Sequence, residues 1–380
     1  MPFVENTLMS QREDFVLFAQ REGANVSALC RRFGISRKTG YKWLERAADA
    51  AHGSGWSGDR SRRPTSSPAR TPERMEAAVL AVRQVHPAWG GRKIRHVLLS
   101  AGMEGVPSVS TVSAILGRHG CIAAEASRAA AAHVRFEHAA ANDLWQMDFK
   151  GHFALSRGRC HPLTVLDDHS RYNLCLAACG NEQGDTVKAR LTAVFRRYGL
   201  PWRMLMDNGA PWGDGPGSVW TPLSVWLLML QVGVTHGRPY HPQTQGKEER
   251  FHRTFKAEVL AARRFETLDD CQTRFDEWRC VYNRLRPHEA IGMAVPASRY
   301  QPSQRAFPET CRPPEYDDGE TVLVVRQKGE MRYKGHTIRI PKAFAGHRIA
   351  IRHNHQHDAK IDICFGANTI RTIDLAAPKG

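Results

Sequence analysis

The sequence predicts a multidomain fold: an all-α front of helix-turn-helix units, a central α/β mixed sheet, and a small β-barrel at the tail. Three observations predict it. Basic helical runs with Ser caps and Gly turns fill roughly the first third of the chain. From Leu144, short β-branched strands alternate with a helix. From about residue 317, β-branched runs are separated by Gly, Asn and Asp, the spacing of a small all-β unit. At 380 residues the chain has room for two or three domains, and its 42% hydrophobic content excludes a wholly disordered protein. With 54 Lys+Arg against 38 Asp+Glu the net charge is +16, which points to a polyanionic partner. No apolar run approaches the roughly 20 residues of a spanning helix. The first residues carry acids and lack a signal-peptide layout, so a cytoplasmic, nucleoid-associated location and no membrane partner are expected. The nine cysteines are scattered without Cys-x2-Cys or zinc-finger spacing, which fits buried or reduced thiols, Cys175 and Cys179 among them.

The elements divide the chain in order. Residues 1–52 form a helix-turn-helix DNA-binding domain. In it Ser27 caps a short helix with Ala28, Leu29 and Phe33 inward, and Gly34 makes the turn. Ser36 caps a second helix with Arg37, Lys38 and Lys42 outward and Tyr41, Trp43 and Leu44 partly inward. Residues 53–71 (GSGWSGDRSRRPTSSPART) read as a basic flexible linker. Residues 72–125 repeat the helical theme: a basic helix opens at Trp89 with Arg92 and Lys93, and Ser108 caps another through Leu116. A connecting helical segment spans 126–142, the α/β core 143–300 and the β-barrel 317–380. The first 140 residues hold 20 Lys+Arg against 12 Asp+Glu, about half of the whole excess of positive charge. That distribution suits a DNA-binding front end, although phosphate contacts alone specify no sequence.

Strands are expected at about 144–153, 160–167 and 172–179, a helix at about 184–199 and a fourth strand at about 203–207. Asp148 interrupts an apolar, aromatic strand, where a carboxylate is costly to bury unless it is paired or bound to metal. Asp207 ends the next apolar strand just before the turn Asn208-Gly209, at the kind of edge where α/β sheets collect catalytic groups. Glu249 stands early in a helix after a Gly/Pro/Gln-rich loop. Three carboxylates from two strands and a helix can converge on two divalent ions, Mg²⁺ or Mn²⁺, whose hard-oxygen preference suits phosphoryl transfer. Lys150, Arg238, Lys247, Arg250 and Lys256 would hold a DNA backbone beside them.

At these residues the sequence resembles a known family. WQMDFKG, LDDHSRY, LMDNGAPW, HPQTQGKEERFHRTFK and YNRLRPHEAIGMAVPASRY look like successive motifs of insertion-sequence transposases with a retroviral-integrase-type (DDE) catalytic core. The resemblance covers about residues 20–300 and implies an RNase H-like fold for the core. It implies a catalytic, metal-holding triad of Asp148, Asp207 and Glu249, with two Mg²⁺ ions per site for which Mn²⁺ substitutes. Glu248 adjoins Glu249, and the family spacing Gly-x-x-Glu from Gly246 selects the second. The Asp167-Asp168 pair is implied to be structural, with Ser170 and Arg171 near the site. The interval from Asp207 to Glu249 is longer than the resemblance implies; the excess falls in GAPWGDGPGSVWTPL, read either as a flap contacting DNA or as a passive insertion. The histidine–cysteine zinc module of retroviral integrases is not recognisable, and His152, His241, His252 and His288 fall in the neighbourhoods of the family motifs instead. The tail resembles β-barrel tails that touch DNA or a partner subunit. The implied activity is binding of terminal inverted repeats, cleavage of the 3′ ends and joining to target duplex DNA, by a homodimer or higher multimer on DNA. A DNA-binding regulator and a metal-dependent nuclease without strand transfer are the alternatives.

Overall fold

The computed structural model describes residues 7–49, 55–59, 70–122, 137–213, 220–237, 246–261, 263–354, 357 and 359–375. The chain divides into two compact units, Met1–Arg70 and Thr71–Gly380.

The first unit holds three helices, α1 (Leu8–Ala19), α2 (Val26–Arg32) and α3 (Arg37–Asp49). Each starts on a side-chain cap that satisfies an orphan amide: Thr7 accepts from Ser10 N at 3.2 Å, Asn25 from Ala28 N at 3.0 Å and Ser36 from Thr39 N at 3.1 Å. Asn25, rather than Ser27, therefore opens α2. That start leaves Ala28 exposed and seats Leu29, Cys30 and Phe33 on the inner side. Trp43 is buried with Phe15, Val16 and Cys30, whereas Tyr41 is 59% exposed rather than inward. Gly34 makes the turn at φ +65°, where a side chain would be strained. Of the expected linker, residues 53–54 and 60–69 lie outside the described residues.

The second unit opens with α4 (Glu73–Val85), α5 (Gly91–Ser100) and α6 (Val109–Arg118), packed around Val79, Trp89, Ile94, Val112 and Ile115. Ser108 caps α6 as the sequence predicts, accepting from Thr111 N at 3.3 Å. Of the expected connecting segment, residues 126–136 lie outside the described residues, and 137–142 carry no helix.

A mixed sheet follows, built from β1 (Leu144–Phe149), β2 (Phe153–Ala154), β3 (Arg159–Asp167), β4 (Asn173–Cys179), β5 (Arg203–Met206) and β6 (Gly233–His236). β4 pairs with β3, β3 with β1, β1 with β5 and β5 with β6; the last two pairings are parallel and the others antiparallel. The first strand is shorter than expected: after the Lys150 amide donates to Pro162 O at 3.0 Å the chain turns at Gly151, φ +80°. Alternation sorts the side chains to two faces. Trp145, Met147, Leu163 and Val165 pack under α7 (Gly184–Tyr198) and α8 (Pro222–Met229), around Leu191, Phe195, Trp226 and Leu227. Leu166, Leu176 and Ala178 face α9 (Gly246–Phe255) and α10 (Leu268–Arg284), around Phe251, Phe255, Phe275 and Trp278. Asp148 follows the parity of the second set, so its side chain rises on the α9 side.

The tail differs from the expected barrel. β7 (Thr321–Val324), β10 (Arg348–His353), β11 (Lys360–Phe365) and β12 (Asn368–Asp374) form an open antiparallel sheet in the order β12-β11-β10-β7, and β8 (Glu330–Tyr333) and β9 (His336–Arg339) form a separate hairpin. The edge strands do not pair with each other, so nothing closes. The apolar side is covered instead from outside the tail: Val225 and Leu228 of α8 join Met331, Ile338, Ile349 and Phe365 in one core. No helix among the described residues is long and apolar enough to cross a membrane.

Candidate active site

Asp148 and Asp207 meet through strand register. Leu144 pairs with Arg203 and Gln146 with Leu205, so Asp148 and Asp207 stand at one level where the parallel strands β1 and β5 end. Asp207 is exposed and its Oδ1 accepts from Asn208 N at 2.7 Å. Its turn is held by His236 Nδ1 on the Asp207 carbonyl at 2.9 Å and by Asn208 Nδ2 donating to Gly237 O at 2.8 Å. Burial, with repulsion from Asp207 and Glu182, pushes the Asp148 carboxyl up to about 7, although the Phe149 amide and Lys150 pull the other way. Two acids that each disfavour the other's charge are the donor set a divalent cation would relieve.

The first turn of α9 does something the motif alone does not show. Its buried side carries Glu248, Phe251, His252 and Phe255, the i, i+3, i+4, i+7 spacing of a packed helix face. Glu248 is therefore the acid that packs beside Asp148, and it is 1% exposed. Glu249 lies about 100° round the helix, exposed, and makes no hydrogen bond or ion pair among the described residues. Thr164, opposite Asp148 on β3, ties the cluster together. Its hydroxyl stands 2.9 Å from the Asp148 carbonyl oxygen, 3.0 Å from Glu248 Oε2 and 2.9 Å from His252 Nε2. Burial and the neighbouring Asp148 raise Glu248 well above the carboxylate range, and its Oε1 is buried without a partner. Burial, then Lys150, drives His252 down to about 3, so the imidazole is neutral. No three His, Cys, Asp or Glu among the described residues converge closely enough to hold an ion as they stand.

The LDDHSR motif is consumed by structure. Asp167 accepts from Asn142 N at 2.7 Å, Ser170 N at 2.8 Å and Ser170 Oγ at 2.5 Å. Asp168 accepts from His138 N at 2.9 Å and Gln146 Nε2 at 2.6 Å, and it pairs with the Lys247 ammonium. Lys247 thus anchors the start of α9 to the sheet. Arg250 and Lys256 are exposed on α9 and the turn of π-helix that continues it, Lys256–Leu260. Arg37, Lys38 and Lys42 are exposed on α3, Lys42 over the Trp43 ring at 4.9 Å. Arg92 and Lys93 turn instead toward Glu289, at 3.1 and 3.8 Å. Arg238 and His241 lie outside the described residues, as do residues 214–219 of the long loop. Sequence reasoning missed Thr164 and the burial of Glu248; the apolar spacing of Glu248 with Phe251 and Phe255 was the available signal.

Residues 138–242 and 230–296 each match an integrase core domain, and 320–379 match the C-terminal domain of IS481 family transposases. The chain is thus similar, segment by segment, to insertion-sequence transposases built on an integrase-type core. Residues 11–49 match a helix-turn-helix domain and 39–116 a homeodomain-like domain. The insertion element IS476 uncharacterized 39.2 kDa protein of Xanthomonas euvesicatoria is 30% identical over 176 residues, 44% of this chain and 48% of that protein. The insertion element IS407 uncharacterized 31.7 kDa protein of Burkholderia multivorans is 29% identical over 160 residues, 42% of this chain and 55% of that protein. The chain thus spans about half the length of these curated relatives. Among solved structures, the HTLV-2 integrase catalytic core domain in complex with magnesium (trimeric form) is 14% identical with a TM-score of 0.33, covering 43% of this chain and 99% of that one.

Proposed function

We propose that this protein is the working transposase of an insertion sequence, which binds the terminal inverted repeats, cleaves the 3′ ends and joins them to target DNA. The observation that carries the reading is that the register of the parallel strands β1 and β5 brings Asp148 and Asp207 to one level at the strand ends, in a chain matched by integrase core domains. Asp148, Asp207 and Glu249 would hold two Mg²⁺ ions, which when bound supply the Lewis acidity of an in-line phosphoryl displacement. The exposed Glu249 carboxylate can turn toward the two aspartates, whereas the buried Glu248 is fixed beneath them.

The chain's own residues position the DNA. Arg37, Lys38 and Lys42 on α3 sit where a recognition helix meets the major groove. Arg250 and Lys256 flank the acids on the exposed side of α9 and would take phosphates of the strand being cut. Arg92 and Lys93 would exchange Glu289 for phosphate oxygens, and Lys247 would act mainly by holding α9. Pairing two element ends requires at least a homodimer on duplex DNA.

The test uses labelled duplexes copied from the DNA flanking the gene, with protein, plasmid and Mg²⁺ or Mn²⁺, beside an Asp207→Asn control. Label joined to plasmid by the natural protein alone supports the transposase. Binding without cutting in either metal selects a DNA-binding regulator, and cutting without joining selects a nuclease.

A further inference from the structure

We propose that Trp212 is a positioning residue: by stacking on Phe149 it fixes the spacing of Asp207 from Asp148. The inference rests on the metal-dependent reading above and adds to it the contact that holds the two aspartates in place.

The strand ladder alone does not hold them. β1 and β5 pair from Leu144–Arg203 to Gln146–Leu205, so the paired residues stop two positions short of both acids. A side-chain contact bridges the strands beyond that point. Trp212 is 3% exposed, and its ring stacks on that of Phe149, with centroids 5.5 Å apart and planes at 26°. Phe149 follows Asp148 on β1 and packs on the α7 and α8 side of the sheet, while Asp148 rises on the other side. Stacked rings have a preferred geometry as well as buried area, so the contact sets a position rather than merely filling space.

The segment between Asp207 and Trp212 has little slack. The amides of Trp212 and Gly213 both donate to Gly209 O at 2.9 Å, and a Cβ on Gly213 would come within 2.4 Å of Asn208 O. On the side of β6, Asn208 Nδ2 donates to Gly237 O at 2.8 Å, and His236 Nδ1 lies 2.9 Å from the Asp207 carbonyl oxygen. Asp207 is therefore carried on a wound turn that β6 holds on one side and the Trp212 ring ties to β1 on the other. The start of the long loop is then a brace between strands, not a flap toward DNA. Its tightness matters because Mg²⁺ accepts only near-ideal ligand geometry. A carboxylate displaced by about 1 Å from its partner no longer serves the same site.

The experiment measures Mn²⁺ affinity and melting curves on the full chain without DNA, for Trp212→Leu, Phe149→Leu, the double variant and Trp212→Phe. In the natural protein, binding should be lost in Asp148→Asn and in Asp207→Asn. Each single Leu variant should bind Mn²⁺ on the order of tenfold more weakly. The double variant should be no weaker than either, since all three lose one and the same contact. Trp212→Phe keeps a ring on Phe149 and should hold its affinity to within about twofold, although it buries less surface and melts earlier. A merely structural role would instead make affinity follow the melting temperature across the set, and that result overturns the inference. Should Trp212→Leu fail to fold, Phe149→Leu reads the same contact from its half-buried side. Losses that add in the double variant, or an unchanged affinity in Phe149→Leu, also overturn it and leave the metal reading standing. Absence of Mn²⁺ binding that depends on Asp148 and Asp207 overturns both.

Discussion

Asp148 shows how a single residue acquires its chemistry from its position. Free in water it would be an ordinary carboxylate; at the end of β1, under α9 and beside Asp207, it holds its proton to about 7. The sign of the stability effect follows from that shift. The folded carboxyl binds its proton more tightly than the unfolded one, so ionising it costs stability, and the cost grows as pH rises from the unfolded to the folded value. In chelator, Asp148→Asn should therefore raise the melting temperature by a few degrees at about pH 8 and leave it nearly unchanged at about pH 4. An equal offset at both pH values, by differential scanning calorimetry, would show that the carboxyl's charge is not the cause. The residue scale is also where sequence reasoning reached least far. Family spacing separates the two adjacent glutamates, but it is the packing of α9 that buries Glu248 and leaves Glu249 exposed.

At the scale of elements, close helix contacts set the constraints. In α3 a Cβ on Gly40 would come within 2.5 Å of Cys30 Sγ and 2.9 Å of the Phe15 ring. Gly40→Ala should improve intrinsic helix propensity by almost 1 kcal/mol and still destabilise the first unit, because the clash falls on its buried centre. Circular dichroism melts of the full chain would read this as an earlier loss of helix, and a rise in stability would contradict the packing. The seat of α9 is tested by Phe255→Ala. Phe255 is fully buried between Phe275 and Trp278, with ring centroids 4.9 and 5.4 Å away. Its truncation should cost about 3–5 kcal/mol and, on the proposed function, lower strand cleavage more than duplex binding, because α9 carries Glu249 while α3 lies in the other unit. Equal losses of cleavage and binding, measured on one substrate, would argue against a seat that serves the site.

For the whole molecule, the tail and the core share one apolar interior through α8. Leu228→Asp, placing a charge at a site 4% exposed, should lower the melting point of core and tail together. Limited proteolysis that releases an intact core from a melted tail would show the two to be independent. The net charge of +16 makes a second prediction at this scale. Replacing Arg37, Lys38 and Lys42 together by Gln should weaken duplex binding and reduce the slope of log affinity against log salt by about 0.9 for each phosphate no longer neutralised. An unchanged slope would remove α3 from the DNA interface.

Much of this organisation is legible in the sequence because it depends on local chemistry. Caps at Ser36 and Ser108, the Gly34 turn, the strand runs around Asp148 and Asp207, and the ordered motifs are properties of short segments. The tertiary structure decided what depends on distant partners. Asn25 took the cap expected of Ser27, Tyr41 stayed outside, and Arg92 and Lys93 went to Glu289. Lys247 went to Asp168, and the tail stayed an open sheet because α8 covers the apolar side that closure would otherwise bury. Periodicity states which side of an element is apolar, but not what will cover it. The covering element, through burial and hydrogen bonding, fixes whether a given acid, lysine or imidazole is available for chemistry.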